Sequence, residues 1–227
     1  MTLRVPFMGQ EINLLDRYPT SPRPVDERAK LITDGHRATA RGFGAGFFDG
    51  DRLTGYGGYH YHPRFWTETV KRFRDHYGLA EDASVLDVGC AKGFMMHDFK
   101  LLMPGIDIRG IDVSSYAIEK AIEDMKPFVQ VADAKELPFA DTSFDLVISI
   151  NTVHNLAIEE CKLALGEIER VSRQHAFITV DAWRNDEERQ NMLAWNLTAL
   201  SYMHVEDWTA LFDEAGYRGD YYWFIAG

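Results

Sequence analysis

The side chains best suited to chemistry fall in four short clusters. The first is Asp87-x-Gly89-x-Ala91-x-Gly93, an acid followed by small residues at every second position. Small residues before a helix let a nucleotide-like ligand approach backbone N–H groups at its start. Asp112 follows about twenty residues beyond Gly93, the spacing at which such folds set a carboxylate to accept from ribose hydroxyls. Asp133-Ala134 is the third cluster. Asn151 and His154 are the fourth, an amide for hydrogen bonding and an imidazole able to take a proton near neutral pH. The glycine spacing G-x-G-x-x-G of dinucleotide turns is absent from the first cluster, which weighs against a nicotinamide enzyme.

The elements around these clusters predict an α/β protein with a mostly parallel sheet. Val85, Leu86 and Val88 read as a strand buried on both faces. Phe65 to Tyr77 has helical periodicity before it, with Gly78 as C-cap. Phe94 to Leu102 continues as a helix after it, until Pro104-Gly105. Strands follow at 106–112, 128–131 and 146–150, with Ser114 or Ser115 capping a helix between the first two. Ile158 to Val171 is a core-facing helix. Ala176 to Val180 is a fifth strand, closing on Asp181-Ala182-Trp183 at the rim. Arg184 to Gln190 reads as solvated, Met192 to Leu200 as a helix, Glu206 to Ala215 as another, and Asp220 to Ala226 as an aromatic strand. In an open sheet of this kind ligands sit beyond the carboxyl ends of the strands, where all four clusters fall.

The sequence "DVGCAKG" with "IDVSSYAIEKA" resembles motifs I and II of the class I S-adenosylmethionine (SAM)-dependent methyltransferases, with Ala91 in place of the usual middle glycine. "LPFADTSFD" is similar to the ubiquinone/menaquinone-biosynthesis-like branch (type 11/25). The resemblance covers about residue 65 to the C-terminus and implies a Rossmann-like fold. It implies SAM as cofactor, contacted by Asp87, Gly89, Cys90, Ala91, Gly93, Asp112, Val113, Asp133, Ala134 and Asn151, with Leu137 and Phe139 bracketing the adenine. The family usually ends on two antiparallel strands. This chain has clear room for one, so either Ser201-Tyr202-Met203 supplies the other or the sheet is a strand short.

Residues 1–64 form an N-terminal extension to the domain at 65–227. Up to about residue 40 the reading is a strap across the domain or a substrate lid, with a proline-punctuated stretch at Tyr18 to Pro24 and a short helix from Val25 to Ile32. Gly42 to Trp66 interleaves glycines with aromatics, a poor regular element but a good pocket wall. Tyr56, Tyr59, Tyr61 and Arg64 are its candidate contacts, Arg64 toward a carboxylate. Tyr59, Arg64 and His154 are the candidate catalytic residues. His154 is read either as a base or as a histidine at a helix start bonded to backbone. His60-x-His62 has no third ligand at useful spacing, so no metal is expected.

Composition narrows the function. Length 227 suits one domain, and 46% hydrophobic residues a globular core. A net charge of −11 disfavours a nucleic-acid acceptor. Two cysteines give no disulfide framework, and no signal peptide or membrane span is visible, so a cytoplasmic monomer or homodimer is expected. The expected activity is methyl transfer to a small-molecule acceptor, at a hydroxyl or carboxylate oxygen. The rivals are transfer to a peptide end and a non-catalytic SAM-binding regulator.

Overall fold

Apolar runs in β1 (Ser84–Val88), β4 (Phe144–Ile150) and β5 (Ser172–Trp183) have both faces covered, which is the condition for parallel pairing. The computed structural model describes residues 9–19 and 25–227, the side chain of Asp26 excepted. Part of the proline-punctuated stretch (residues 20–24), and of the N-terminal stretch read for a signal peptide (residues 1–8), lies outside the described residues.

In chain order the elements are α1 (Val25–Leu31), α2 (Asp34–Arg41), α3 (Ala45–Phe48), α4 (Pro63–Tyr77), β1, α5 (Phe94–Leu102), β2 (Asp107–Asp112), α6 (Ser115–Glu119), β3 (Val129–Val131), β4, α7 (Ile158–Val171), β5, α8 (Asp186–Trp195), β6 (Met203–His204), α9 (Val205–Ala215) and β7 (Asp220–Phe224). The sheet runs β3-β2-β1-β4-β5, with β6 and β7 both paired to β5. Chain order reverses between β1 and β4, so the cleft opens there.

The two-residue period of the strands sorts the core into two layers. Leu86, Val88, Val147, Ile178 and Val180 face α7 and α9, meeting Cys161, Leu165, Ile168, Trp208 and Phe212. Val85, Ile108, Leu146, Ile148 and Phe177 face α4 and α5, meeting Val70, Phe73, Met96 and Phe99. Gly78 ends α4 in the left-handed conformation at φ 59°, as its position predicts.

The C-terminal strands differ from the family expectation. Every pairing between the named strands is parallel, that of β7 with β5 included. The reason is α9, which carries the chain back to the edge where strands begin, so that β7 can only run up. Of the stretch at 201–203 only Met203 enters a strand: β6 is Met203 and His204, which pair with Ala182 and Trp183 beyond the end of the β4 pairing. Residues 10–12 lie on the outer side of β7: Ile12 donates to the Tyr221 carbonyl at 2.9 Å, and Tyr221 to that of Gln10 at 3.1 Å. The N-terminal strap is thus partly sheet edge.

Two helices depart from the periodicity reading. α8 begins in the charged stretch, because Asn185 caps it (Oδ1 accepting from Glu188 N at 2.9 Å) and Asp186, Glu187 and Glu188 favour its N-terminal dipole. It stops at Trp195, where Asn196 folds the chain by exchanging two 2.9 Å bonds with Ala199. α2 had no apolar stripe to announce it. Its signal is a capping box between Thr33 and His36.

Candidate active site

The cleft floor is built by the ends of five parallel strands. After β1, Gly89 turns at φ 86°, and a Cβ there would run into the Thr152 side chain. Gly89 N and Cys90 N both donate to the Ile111 carbonyl, at 2.8 and 2.9 Å. Ala91 N donates to Asp112 Oδ2 at 2.9 Å, and Ser114 N to Asp112 Oδ1 at 2.8 Å. These loop N–H groups therefore clamp β1 to β2 and are not left for a ligand. The loop meets the cavity through its surface, at Gly89, Cys90 and Ala91. Gly93, at φ 77°, does not line the cavity. It precedes α5 as its N-cap, where an added Cβ would press on Met125 at 3.1 Å.

Two carboxylates face the cavity from β1 and β2. Asp112 is buried, yet each oxygen keeps a further lone pair for a hydroxyl. Asp87 makes no side-chain hydrogen bond among the described residues. Burial first, and the Asp112 charge second, push its pKa up to about 8. An unbonded carboxyl at a cavity wall suits a positively charged ligand. SAM carries two such groups, an ammonium and a sulfonium, so the two carboxyl groups fit that cofactor.

Val113, 58% exposed, adds apolar wall beside Asp112. Asp133 and Ala134 line the same side, with Asp133 Oδ1 accepting from Lys135 N at 2.9 Å. Leu137 and Phe139 do not line it. Leu137 is buried in the α7 layer, and Phe139 packs edge-on to Phe144 at 4.9 Å.

Past β4, Asn151 sits at φ 52°, a left-handed conformation that asparagine tolerates. Thr179 Oγ1 receives its N–H at 2.9 Å and donates to its Oδ1 at 2.8 Å, leaving the side-chain NH2 toward other partners. His154 lines the cavity but is 3% exposed. Its Nδ1 accepts the Asp181 N–H at 2.9 Å, so the neutral ring carries its proton on Nε2. Burial lowers its pKa against the opposing pull of the Asp181 carboxylate. The lone pair a base would use is already engaged. Of the two sequence readings, the geometry favours the backbone-bonded histidine.

The roof is the glycine–aromatic segment. Lys92, unremarked in the sequence, holds it down: its buried Nζ reaches Asp49 Oδ1 at 2.5 Å and the Tyr59 carbonyl at 2.9 Å. Tyr116 donates to Asp49 Oδ2 at 2.9 Å, and Ser114 Oγ to the Phe43 carbonyl. The only sequence signal for Lys92 was a cation inside a turn of small residues. Tyr56 and Tyr59 line the cavity, their hydroxyls donating to the Gly58 and Asp51 carbonyls.

Arg64 and Tyr61 correct the sequence reading, since neither lines the cavity. Helix α4 turns Arg64 outward, where its guanidinium lies over the Phe65 ring at 4.6 Å. Tyr61 donates instead to Asp98 Oδ1 at 3.2 Å, beside Thr67. His62 caps α4 by accepting Arg64 N at 3.2 Å. The whole cavity measures about 910 Å³, room for a cofactor and a small second molecule.

The sequence profile described as a methyltransferase domain matches residues 79–216. The chain belongs to that family, the class I SAM-dependent methyltransferases. It is similar to a tRNA (carboxymethyluridine(34)-5-O)-methyltransferase of Arabidopsis thaliana, 33% identical over 132 residues, which are 57% of this chain and 31% of that protein. It is also similar to a malonyl-[acyl-carrier protein] O-methyltransferase of Legionella pneumophila, 28% identical over 57% of this chain and 46% of that protein. The chain thus spans less than half the length of these two relatives. Among solved structures the YcgJ protein of Bacillus subtilis shares the fold, with a TM-score of 0.52 at 20% identity over 64% of this chain and 66% of that one. No helix among the described residues is long and apolar enough to cross a membrane.

Proposed function

We propose that the protein transfers the methyl group of SAM to an oxygen, hydroxyl or carboxylate, of a small acceptor molecule. The observation that carries this reading is the roof. Residues 43–60 are tied down over the ends of β1 and β2 and help to enclose a cavity of about 910 Å³, sized for a cofactor and a small acceptor. Two matched relatives bear O-methyltransferase names, while others are phosphoethanolamine N-methyltransferases.

Bound in the cleft, SAM supplies a methyl group on a good leaving group. The residues then divide the tasks of holding cofactor and acceptor. Asp112 accepts from the ribose hydroxyls, Asp133 and Ala134 meet the adenine beside Val113, and Asp87 faces the cationic end. Gly89, Cys90 and Ala91 give the close surface between them. Asn151 and His154 Nε2–H offer donors to the acceptor, and Tyr59 fixes the roof above it. Excluding water and holding the acceptor in line is worth up to roughly 7–11 kcal/mol in well-oriented reactions.

Methyl-labelled SAM tests the reading with an acceptor panel of small hydroxy and carboxy acids, amines, peptides and total tRNA. Label in an ether or ester of a small molecule supports it. Label in tRNA, a peptide or an amine overturns the acceptor assignment. SAM binding with no product in any arm leaves the regulator reading instead.

A further inference from the structure

Five arginine and lysine side chains line the cavity, and they fall into two groups. Lys92 pairs with Asp49 at 2.5 Å, Lys135 with Glu160 at 2.7 Å and Arg184 with Glu11 at 2.6 Å. Arg28 and Arg52 have no carboxylate partner among the described residues. Arg28 reaches the backbone of Arg52, its Nη1 donating to the Arg52 main-chain carbonyl at 2.8 Å. The Arg28 guanidinium lies over the Trp195 ring, with Cζ 4.8 Å from its centroid, and its buried Nε has no hydrogen-bond partner among the described residues.

In a chain with 35 acidic residues and a net charge of −11, two arginines that line one cavity without a carboxylate partner among the described residues need a reason. Burial and then the Arg52 charge pull the Arg28 pKa down, against a smaller opposing pull from Tyr59. A bound anion reverses the sign. Two planar forks suit the paired oxygens of a carboxylate or the three of a phosphate.

We propose that Arg28 and Arg52 form an anion subsite for the acceptor, which is then a small molecule carrying a carboxylate or phosphate group. The proposal rests on the methyltransferase reading and deepens it. Its place in the fold favours the acceptor over the cofactor. Helix α1 packs on α8, which follows β5, so Arg28 stands on the β4–β5 side of the cleft. Asp112 and Asp133 follow β2 and β3, across β1 from it. An anion held by two guanidinium groups is a weakened nucleophile. This group is a handle that orients the acceptor, and the methyl group goes to another oxygen.

The test is calorimetric titration of the protein saturated with S-adenosylhomocysteine. The probes are 4-hydroxybenzoate, phenyl phosphate and the uncharged 4-hydroxybenzamide, on wild type, Arg28→Gln and Arg52→Gln. Arg52 is exposed and its side chain makes no hydrogen bond among the described residues, so its variant keeps the fold even where Arg28→Gln does not. At least one anion should bind about tenfold tighter than the amide, and each variant should lose most of that margin. Which of the two anions wins separates carboxylate from phosphate. Equal binding of amide and anions, or variants that bind anions like wild type, overturns the subsite. Variants that instead weaken S-adenosylhomocysteine by about tenfold assign the arginines to the cofactor carboxylate, which also overturns it and leaves the methyltransferase reading standing. Wild type without affinity for S-adenosylhomocysteine defeats both.

Discussion

Lys92 Nζ and Asp49 Oδ1 lie 2.5 Å apart, joining the cofactor loop to the roof across 43 residues of sequence. The lysine end is buried and the aspartate end partly open, so the pair is stronger than a surface bridge. Lys92→Met should leave Asp49 and the Tyr59 carbonyl without their partner and cost about 2–4 kcal/mol in stability. Hydrogen exchange should speed up across residues 43–59 while β1 and β4 stay protected. Uniform exchange across the chain would show that the roof does not open by itself.

Asp87 gives the site a pH signature. Its pKa of about 8 lies above the unfolded value of about 3.9, so between the two the native state holds the extra proton. The stability of the cofactor-free protein should therefore fall as pH rises from about 4 to 8, and Asp87→Asn should flatten that slope. A cationic ligand favours the ionised form, so SAM binding at pH 7 should release a proton. Titration in buffers of different ionisation enthalpy reads it. No buffer dependence, or the same dependence in Asp87→Asn, counts against this role.

His154 should not supply the acidic limb of the rate profile. Nδ1 is engaged by the Asp181 N–H, and burial holds the ring's pKa below its ordinary value. The profile of kcat should show no step near 6.5. A step there that vanishes in His154→Gln would restore the base assignment.

The turn after β1 offers a paired substitution. Ala91 sits at φ 50°, where a Cβ costs about 1 kcal/mol, so Ala91→Gly should be neutral or stabilising by up to about 1 kcal/mol. Gly89→Ala meets both a φ of 86° and the Thr152 side chain. It should lose several °C in melting temperature and most SAM affinity. Equal melting points for the two variants would mean that the turn is not under this constraint.

Much of the floor was legible in the order of residues. Val85, Leu86 and Val88, the small residues after them and the acid ending Ile111-Asp112 announce strand, turn and strand end locally, because β-branched runs and glycine act on their own backbone. The roof was legible only as a composition. Glycines between aromatics told of a wall, but not that Tyr56 and Tyr59 face inward while Tyr61 and Arg64 turn away.

Sequence alone determined the parallel α/β frame, the four clusters at its strand ends and, through motif likeness, the family. Tertiary structure decided which partners those side chains have. Asp181, 27 residues on, takes up the His154 lone pair. Helix α9 sets the direction of β7, and α1 on α8 brings Arg28 into the cavity with no carboxylate partner among the described residues. The reason is one of range: backbone preference acts over a few residues, whereas a hydrogen bond or ion pair depends on segments that only the folded chain brings together.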